Sequence, residues 1–278
     1  MAEIMVVFDF DKTIIDCDSD NWVVDELGAT NIFDELLGQM PWNTAVDKMM
    51  EELQSQGRTI EDVVECLKRA PLIPRIISTI KSAHALGCEL RIVSDANIFF
   101  IEAILEQHGL TGYFSEINTN PGFVEEGRLR ILPYHDFITS PHGCNLCPPN
   151  MCKSVAMERI ISAAAVAEGK TRFLYVGDGK GDFCPSLRLG EEDYVLPRKH
   201  YPLWELIRAN PTLIKAEIHE WENGEELEMT LLELVKHAIT ESNIHGIDST
   251  SLVSEECKFQ TNYLSANETV AQAIAVPN

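Results

Sequence analysis

Apolar runs and amphipathic stretches alternate along this chain, and their order predicts an α/β fold. Residues 4–8, Ile4-Met5-Val6-Val7-Phe8, are apolar throughout and β-branched in part, the pattern of a short buried strand. Helical periodicity then dominates around 22–27, 32–37, 45–54 and 60–70, punctuated by Gly28, Gly38, Pro41 and Gly57. The block from about 17 to 73 carries few strand signals and reads as a helical insertion, with Pro71 and Pro74 marking the return. A helix over 75–85, a strand over 89–93 and a helix over 98–107 follow. Residues 113–118 predict a strand, and 122–132 a hairpin turning at Glu126-Gly127. Beyond an irregular stretch, 133–152, an Ala-rich helix runs from Lys153 to about Ala167, then a strand over 172–176. A short helix near 183–187, a short strand at 194–196 and surface helices over 201–209 and 225–239 complete the pattern. From about 244 the chain turns polar and aperiodic, which predicts a largely disordered tail.

Composition narrows the class. At 278 residues, one or two domains with a full core are expected. A formal net charge of −22 argues against non-specific nucleic-acid binding and against docking on an anionic membrane. Anionic substrates remain open to such a chain if a metal and a few basic residues reverse the local field. The N-terminus lacks a basic region followed by an apolar stretch, and no run approaches the roughly 18–20 apolar residues of a span. The expectation is a cytoplasmic protein whose eight cysteines are reduced.

The chemistry concentrates where strands end. Asp9-Phe10-Asp11-Lys12-Thr13 places two carboxylates beyond the first strand, where open α/β sheets bind ligands. Carboxylates near a core are costly unless a metal or cation offsets them. One could attack phosphorus, and the other, two residues on, could protonate the leaving oxygen and later activate water. An acidic turn after an edge strand is the plainer alternative. Ser94 and Asp95 follow the strand 89–93, as a phosphoryl-oxygen donor would, or as an ordinary helix N-cap. Lys153 opens its helix, either solvated or beside an anion. The strand 172–176 ends in Gly177-Asp178-Gly179-Lys180-Gly181-Asp182, where glycines allow a tight turn and two carboxylates converge as if on a hard cation.

D-x-D-x-T, the strand-end Ser94, Lys153 and G-D-G-x-x-D, in this order, resemble the four motifs of the haloacid dehalogenase (HAD) phosphatase superfamily. The resemblance implies a HAD-like Rossmannoid core with a parallel sheet and a helical cap inserted after the first strand. Residues 1–16 plus 74–243 would form the core, 17–73 the cap and 244–278 the tail. It makes Asp9 the nucleophile, Asp11 the acid/base, and Ser94 and Lys153 the phosphoryl contacts. Mg2+ would rest on Asp9, the Asp11 carbonyl and Asp178, with Asp182 a ligand or the partner of one. Many members carry Asn before that last Asp; here it is Gly181.

D-F-D-K-T-I-I-D-x-D-S-D-N-W, V-S-D-A-N, C-P-P-N-M-C-K and G-D-x-x-G-D-F-C-P resemble more narrowly the phosphoethanolamine/phosphocholine phosphatase family, nearest its plant phosphate-starvation-induced branch. That branch includes enzymes assigned as inorganic pyrophosphatases and thiamine monophosphate phosphatases. A small-molecule phosphate substrate is implied, with Asp20 and Asp95 matching positions tied to head-group recognition. Asp18 joins Asp20 at the entrance to the insertion, and Trp22 or Trp42 could add a cation–π face. Pyrophosphate would demand basic groups in the cap, or a second Mg2+. A catalytically idle phosphate-binding protein and a phosphoryl transferase to another acceptor are the rival classes. Arg198, Lys199 and His200 read as a solvated basic turn. His142, Cys144, Cys147 and Cys152 are chemically capable of a zinc site, but with one C-x-x-C in so short a stretch a loop of packed thiols is expected.

Overall fold

The computed structural model describes residues 3–166 and 171–248. Its centre is a six-stranded, all-parallel sheet in the order β3-β2-β1-β6-β7-β8. The strands are β1 (Glu3–Phe8), β2 (Glu89–Asn97), β3 (Glu116–Asn120), β6 (Thr171–Gly177), β7 (Tyr194–Pro197) and β8 (Glu217–Ile218). The apolar run of β1 is explained by burial on both faces. Ile4, Val6 and Phe8 enter one core with Leu90, Ile92 and Leu174, while Met5 and Val7 enter another with Phe173 and Tyr175. Each side chain removed from water there contributes about 1.5–3 kcal/mol.

Helices α5 (Ile76–Ala85), α6 (Ile98–Gln107) and α10 (Gly224–Asp248) supply buried residues to the first core. Helices α7 (Lys153–Val166) and α9 (Pro202–Ala209) supply the second. Strand order reverses at β1, which has β2 on one side and β6 on the other, so the crevice beyond their C-terminal ends is the switch point where ligands bind in such sheets.

Between β1 and α5 the chain forms α1 (Ser19–Glu26), α2 (Thr30–Leu37), α3 (Trp42–Ser55) and α4 (Ile60–Leu67). An antiparallel bridge between Ile15 and Leu72 pins the two ends of this helical insertion together. The hairpin β4 (Gly122–Glu125) and β5 (Arg128–Ile131) packs against α3. Asp47 on α3 accepts hydrogen bonds from Arg128, Arg130 and the Ile131 N–H. The short α8 (Phe183–Ser186) follows β6.

Three readings change. The strand expected at 113–118 starts later, because 111–113 form a 3-10 turn and pairing with β2 begins at Glu116. The last helix is more than a surface element: Leu227, Leu231, Val235 and Ala238 are buried in the core. It also runs to Asp248, into the stretch expected to be disordered; 249–278 lie outside the described residues. Among the described residues, no helix is long and apolar enough to cross a membrane.

Candidate active site

Four segments converge on one open cleft of about 490 Å³ at the C-terminal edge of the sheet. Asp9, Asp11, Lys12, Asp18, Asp95, Lys153, Asp178, Lys180 and Gly181 line it, together with 145–148 of the irregular loop. Asp9 leaves β1 with its backbone N–H still bonded to Val176 of β6. Its Oδ1 accepts the Phe10 N–H at 2.7 Å and lies 2.8 Å from the Lys153 ammonium.

The expected solvated alternative for Lys153 is not what the structure shows. The side chain is buried, 2.8 Å from both Asp9 and Asp182 and 3.6 Å from Asp95. Burial alone would lower its pKa, but Asp182 and Asp9 hold it well above the ordinary range.

Asp182 is the anchor of this arrangement. Its Oδ1 accepts from Lys153 and from the Tyr175 hydroxyl at 2.7 Å, and its Oδ2 accepts the N–H groups of Asp178 and Gly179. Four donors are satisfied on Asp182, whereas Asp178 receives no hydrogen bond on its carboxylate among the described residues. Gly177 makes this possible: a Cβ there would lie 2.6 Å from the Asp182 Cγ.

Asp11 lines the same cleft. Ser19 donates to its Oδ2 at 3.1 Å, and its buried Oδ1 has no partner among the described residues. Burial, then Asp18, Asp20 and Asp9, push its pKa well up, so this carboxyl tends to hold a proton. Asp9 is also pushed up, by burial first and Asp182 next, with Lys153 opposing. Asp178 is pushed up to about 7 by burial and then by Asp182. Asp9, Asp178 and Asp182 offer oxygens all within 4.8 Å of one another. An all-oxygen cluster with more carboxylates than the one buried ammonium can neutralise fits a hard divalent cation such as Mg2+.

Ser94 is buried at the bulged end of β2, where its hydroxyl oxygen accepts the Ala96 N–H. Its own O–H has no acceptor among the described residues. Asp95 projects into the cleft with its side chain 44% exposed, and the Asn120 amide grips the backbone behind it. Asp20 behaves differently from the expectation that it contacts substrate. It is buried off the cleft, its Oδ2 bonded to the Trp42 indole N–H at 2.8 Å and its Oδ1 unpartnered. Burial and Asp18 push its pKa up to about 8. Asp18, the N-cap of α1, is the insertion's carboxylate on the wall. Neither Trp22, which donates to the Cys66 carbonyl, nor Trp42 lines the cleft.

Sequence reasoning missed Arg198. Far from a solvated turn, it is buried, donates to the Lys12 carbonyl at 2.8 Å and to Asp16 at 2.9 Å, and stacks on Tyr201 and Trp221. It thereby braces Lys12, which adopts the left-handed conformation (φ 55°) directly after Asp11. Only the partnership with residues 186 positions away gives it this role.

The family model described as Putative Phosphatase matches residues 4–235. The chain belongs to this phosphatase family. It is a phosphoric monoester hydrolase of HAD type, as the first motif and the fold both imply. The Arabidopsis thaliana protein named inorganic pyrophosphatase 2 is 56% identical, over 92% of this chain and 91% of its own. The thiamine phosphate phosphatase-like protein of the same plant is 55% identical, over 84% and 96%. The Gallus gallus phosphoethanolamine/phosphocholine phosphatase is 32% identical, over 84% and 89%. A solved HAD-family hydrolase of Salmonella enterica shares the fold at a TM-score of 0.58 and 17% identity, covering 84% of this chain and 72% of that one.

Proposed function

We propose that this phosphatase hydrolyses a small phosphate ester bearing a cationic amine, of the phosphocholine or phosphoethanolamine kind, through an aspartyl-phosphate on Asp9. The observation that carries the substrate class is the set of side chains lining the cleft. Asp18 and Asp95 present carboxylates to it, and none of Lys48, Arg58, Lys68 or Arg69 from the helical insertion lines it. A quaternary or primary ammonium would be attracted to those carboxylates, while a bare second phosphoryl group would be repelled by them.

Asp9, the Asp11 backbone carbonyl and Asp178 would hold Mg2+, which when bound offsets phosphoryl charge and orients the ester. Asp9 attacks phosphorus in line as the bond to the leaving oxygen breaks, and Asp11 gives that oxygen its proton. Lys153, held by Asp182, would bind one equatorial oxygen, and Ser94, whose buried hydroxyl at the β2 bulge lies outside the cleft lining, would donate to another. Water, deprotonated by Asp11, then attacks the phospho-aspartate, releasing phosphate and restoring Asp9. Asp11 suits both halves because its raised pKa lets it begin protonated. The helical insertion serves as the cap that shelters these steps.

A second reading is inorganic pyrophosphate, favoured by Lys12 and Lys180, which line the same cleft from the core, and by the name of the 56% identical relative. The deciding experiment measures phosphate release with Mg2+ from phosphocholine, phosphoethanolamine, thiamine monophosphate and pyrophosphate, for wild type, Asp95→Asn and Lys180→Ala. Preference for the amine esters, with KM raised by Asp95→Asn, is the expected result. Preference for pyrophosphate, with KM raised by Lys180→Ala, overturns the substrate class and leaves the catalytic residues standing. Substantial turnover by Asp9→Asn would remove the nucleophile itself.

A further inference from the structure

Beside the cleft lies a second cluster with different chemistry. Cys144, Cys147 and Cys152 come from the irregular loop, and Cys184 comes from α8. Their four sulfurs all lie within 4.8 Å of one another. The Cys144–Cys184 separation is 3.6 Å and the Cys152–Cys184 separation 3.9 Å. A zinc ion with Zn–S bonds of about 2.3 Å places its four sulfurs about 3.8 Å apart along the edges of a tetrahedron. Packed sulfurs touch at similar distances, so what singles out this cluster is that four sulfurs from two separate segments converge, each within 4.8 Å of all the others.

We propose that Cys144, Cys147, Cys152 and Cys184 form a structural tetrathiolate zinc site. The donor set selects a thiophilic metal, distinct from the all-carboxylate cluster of the cleft. The surroundings supply the outer hydrogen bonds that thiolate sites need. The Leu146 N–H points at the Cys144 sulfur at 3.4 Å, and the N–H groups of Ser154 and Val155 reach that of Cys152.

His142 is excluded as a ligand, against its placement among the candidates in the sequence. Its Nδ1 accepts the Cys144 N–H at 3.0 Å and its Nε2 bonds to the Pro148 carbonyl at 2.9 Å, so both ring nitrogens bind the loop itself. The fourth ligand is Cys184, 32 positions beyond Cys152. That separation hid the site, because the sequence offered only one C-x-x-C.

The placement gives the site a purpose. Cys152 directly precedes Lys153, and Cys184 follows Asp182 by two positions, so zinc would bind together the two segments whose side chains make the buried 2.8 Å ion pair. It would also hold residues 145–148 as a wall of the cleft. The proposal is independent of substrate, since it concerns a different metal on different residues.

The test is the metal content of untagged protein purified without chelators. The expected result is one zinc per chain that survives dialysis against a chelator and is released as a mercurial titrates the thiols. Cobalt substituted for it should show the intense ligand-field and thiolate charge-transfer bands of a tetrahedral tetrathiolate. Cys144→Ser and Cys184→Ser should lose the zinc, while Cys88→Ala keeps it. Protein that purifies without zinc and gives no such cobalt spectrum overturns the proposal, as does iron in its place. Zinc retained by both serine variants overturns the ligand assignment. Should the serine variants fail to fold, the wild-type zinc content and cobalt spectrum decide alone.

Discussion

Asp178 and Asp182 belong to one carboxylate cluster but are held in opposite ways, and replacing each by asparagine should move stability in opposite directions. Asp182 accepts four hydrogen bonds, two on each oxygen, one of them from the Lys153 ammonium. Whichever way an asparagine amide is turned, its NH2 group faces two donors, and Lys153 loses one of its two closest counter-charges. Breaking a buried pair in this way costs about 3–5 kcal/mol. Asp178 receives no such support, and burial followed by the charge of Asp182 pushes its pKa from 3.8 up to about 7. At about 1.4 kcal/mol per tenfold change in proton affinity, keeping it ionised costs up to about 4 kcal/mol.

The sign follows from proton binding. Between about pH 4 and pH 7 the folded, metal-free protein holds a proton on Asp178 that the unfolded chain has released. That stability is full below the unfolded pKa and is lost as pH rises through the folded one. Asp178→Asn removes the loss. In chelator near pH 7.5 it should be more stable than wild type by about 1–4 kcal/mol, with the gap closing toward pH 4. Asp182→Asn should be less stable by about 3–5 kcal/mol. Urea unfolding followed by tryptophan fluorescence measures both. Added Mg2+ should raise the wild-type midpoint and leave Asp178→Asn almost unmoved, because only a folded site binds the ion. Asp178→Asn destabilising in chelator as much as Asp182→Asn would refute the reasoning about charge crowding. An undiminished Mg2+ response would refute Asp178 as a ligand.

Three further outcomes follow from the same geometry. Asp11→Asn should lower kcat/KM, which reports the phosphorylation step, by about 10²–10⁴ on an alkyl phosphate and much less on p-nitrophenyl phosphate, whose leaving group needs no proton; equal losses in kcat/KM on both would deny Asp11 its acid role. Gly177→Ala drives a Cβ to 2.6 Å from the Asp182 Cγ, so it should lower stability by about 2–4 kcal/mol and reduce kcat with it, read from denaturant midpoints and initial rates. Arg198→Met keeps much of the stacking on Tyr201 and Trp221 but loses the bonds to Lys12 and Asp16. It should cost about 1–3 kcal/mol and slow turnover more than it raises KM.

What the sequence carried was the local part of this design. A strand buried on both faces must be apolar at every position, so residues 4–8 announced themselves and located Asp9 and Asp11 beyond them. The strand-end position of Asp178 was legible from the apolar run 173–176, and that of Ser94 from the alternation of buried Leu90 and Ile92 with Glu89 and Arg91. What stayed hidden depends on residues distant in sequence. β8 is two residues long and exists because Tyr194 and Val195 pair with it. Cys184 joins three cysteines it does not adjoin, and Arg198 looks basic and exposed until Lys12, Asp16, Tyr201 and Trp221 close around it. Asp20 was read by its acidity as a substrate contact; what the sequence did not show is its burial on α1, outside the cleft lining and bonded to the Trp42 indole.

Asp20 nonetheless bears on the chemistry, through charge. Five carboxylates and three ammonium groups line the cleft, a formal excess of two negative charges that falls to one when Asp11 carries the proton the mechanism requires, with Asp20 buried nearby. One Mg2+ would then leave the cleft with one net positive charge. An ester pairing a phosphate with an ammonium brings at most one further negative charge, and brings its positive end to Asp18 and Asp95. Pyrophosphate brings several negative charges and no positive end, so in this cleft it would need Lys12, Lys180 and a second Mg2+ together. Asp18 and Asp20 also bear on Asp11, since any charge they carry raises its pKa. On the proposed mechanism, the concentration of carboxylates that attracts a cation to Asp18 and Asp95 also keeps on Asp11 the proton that the leaving oxygen takes.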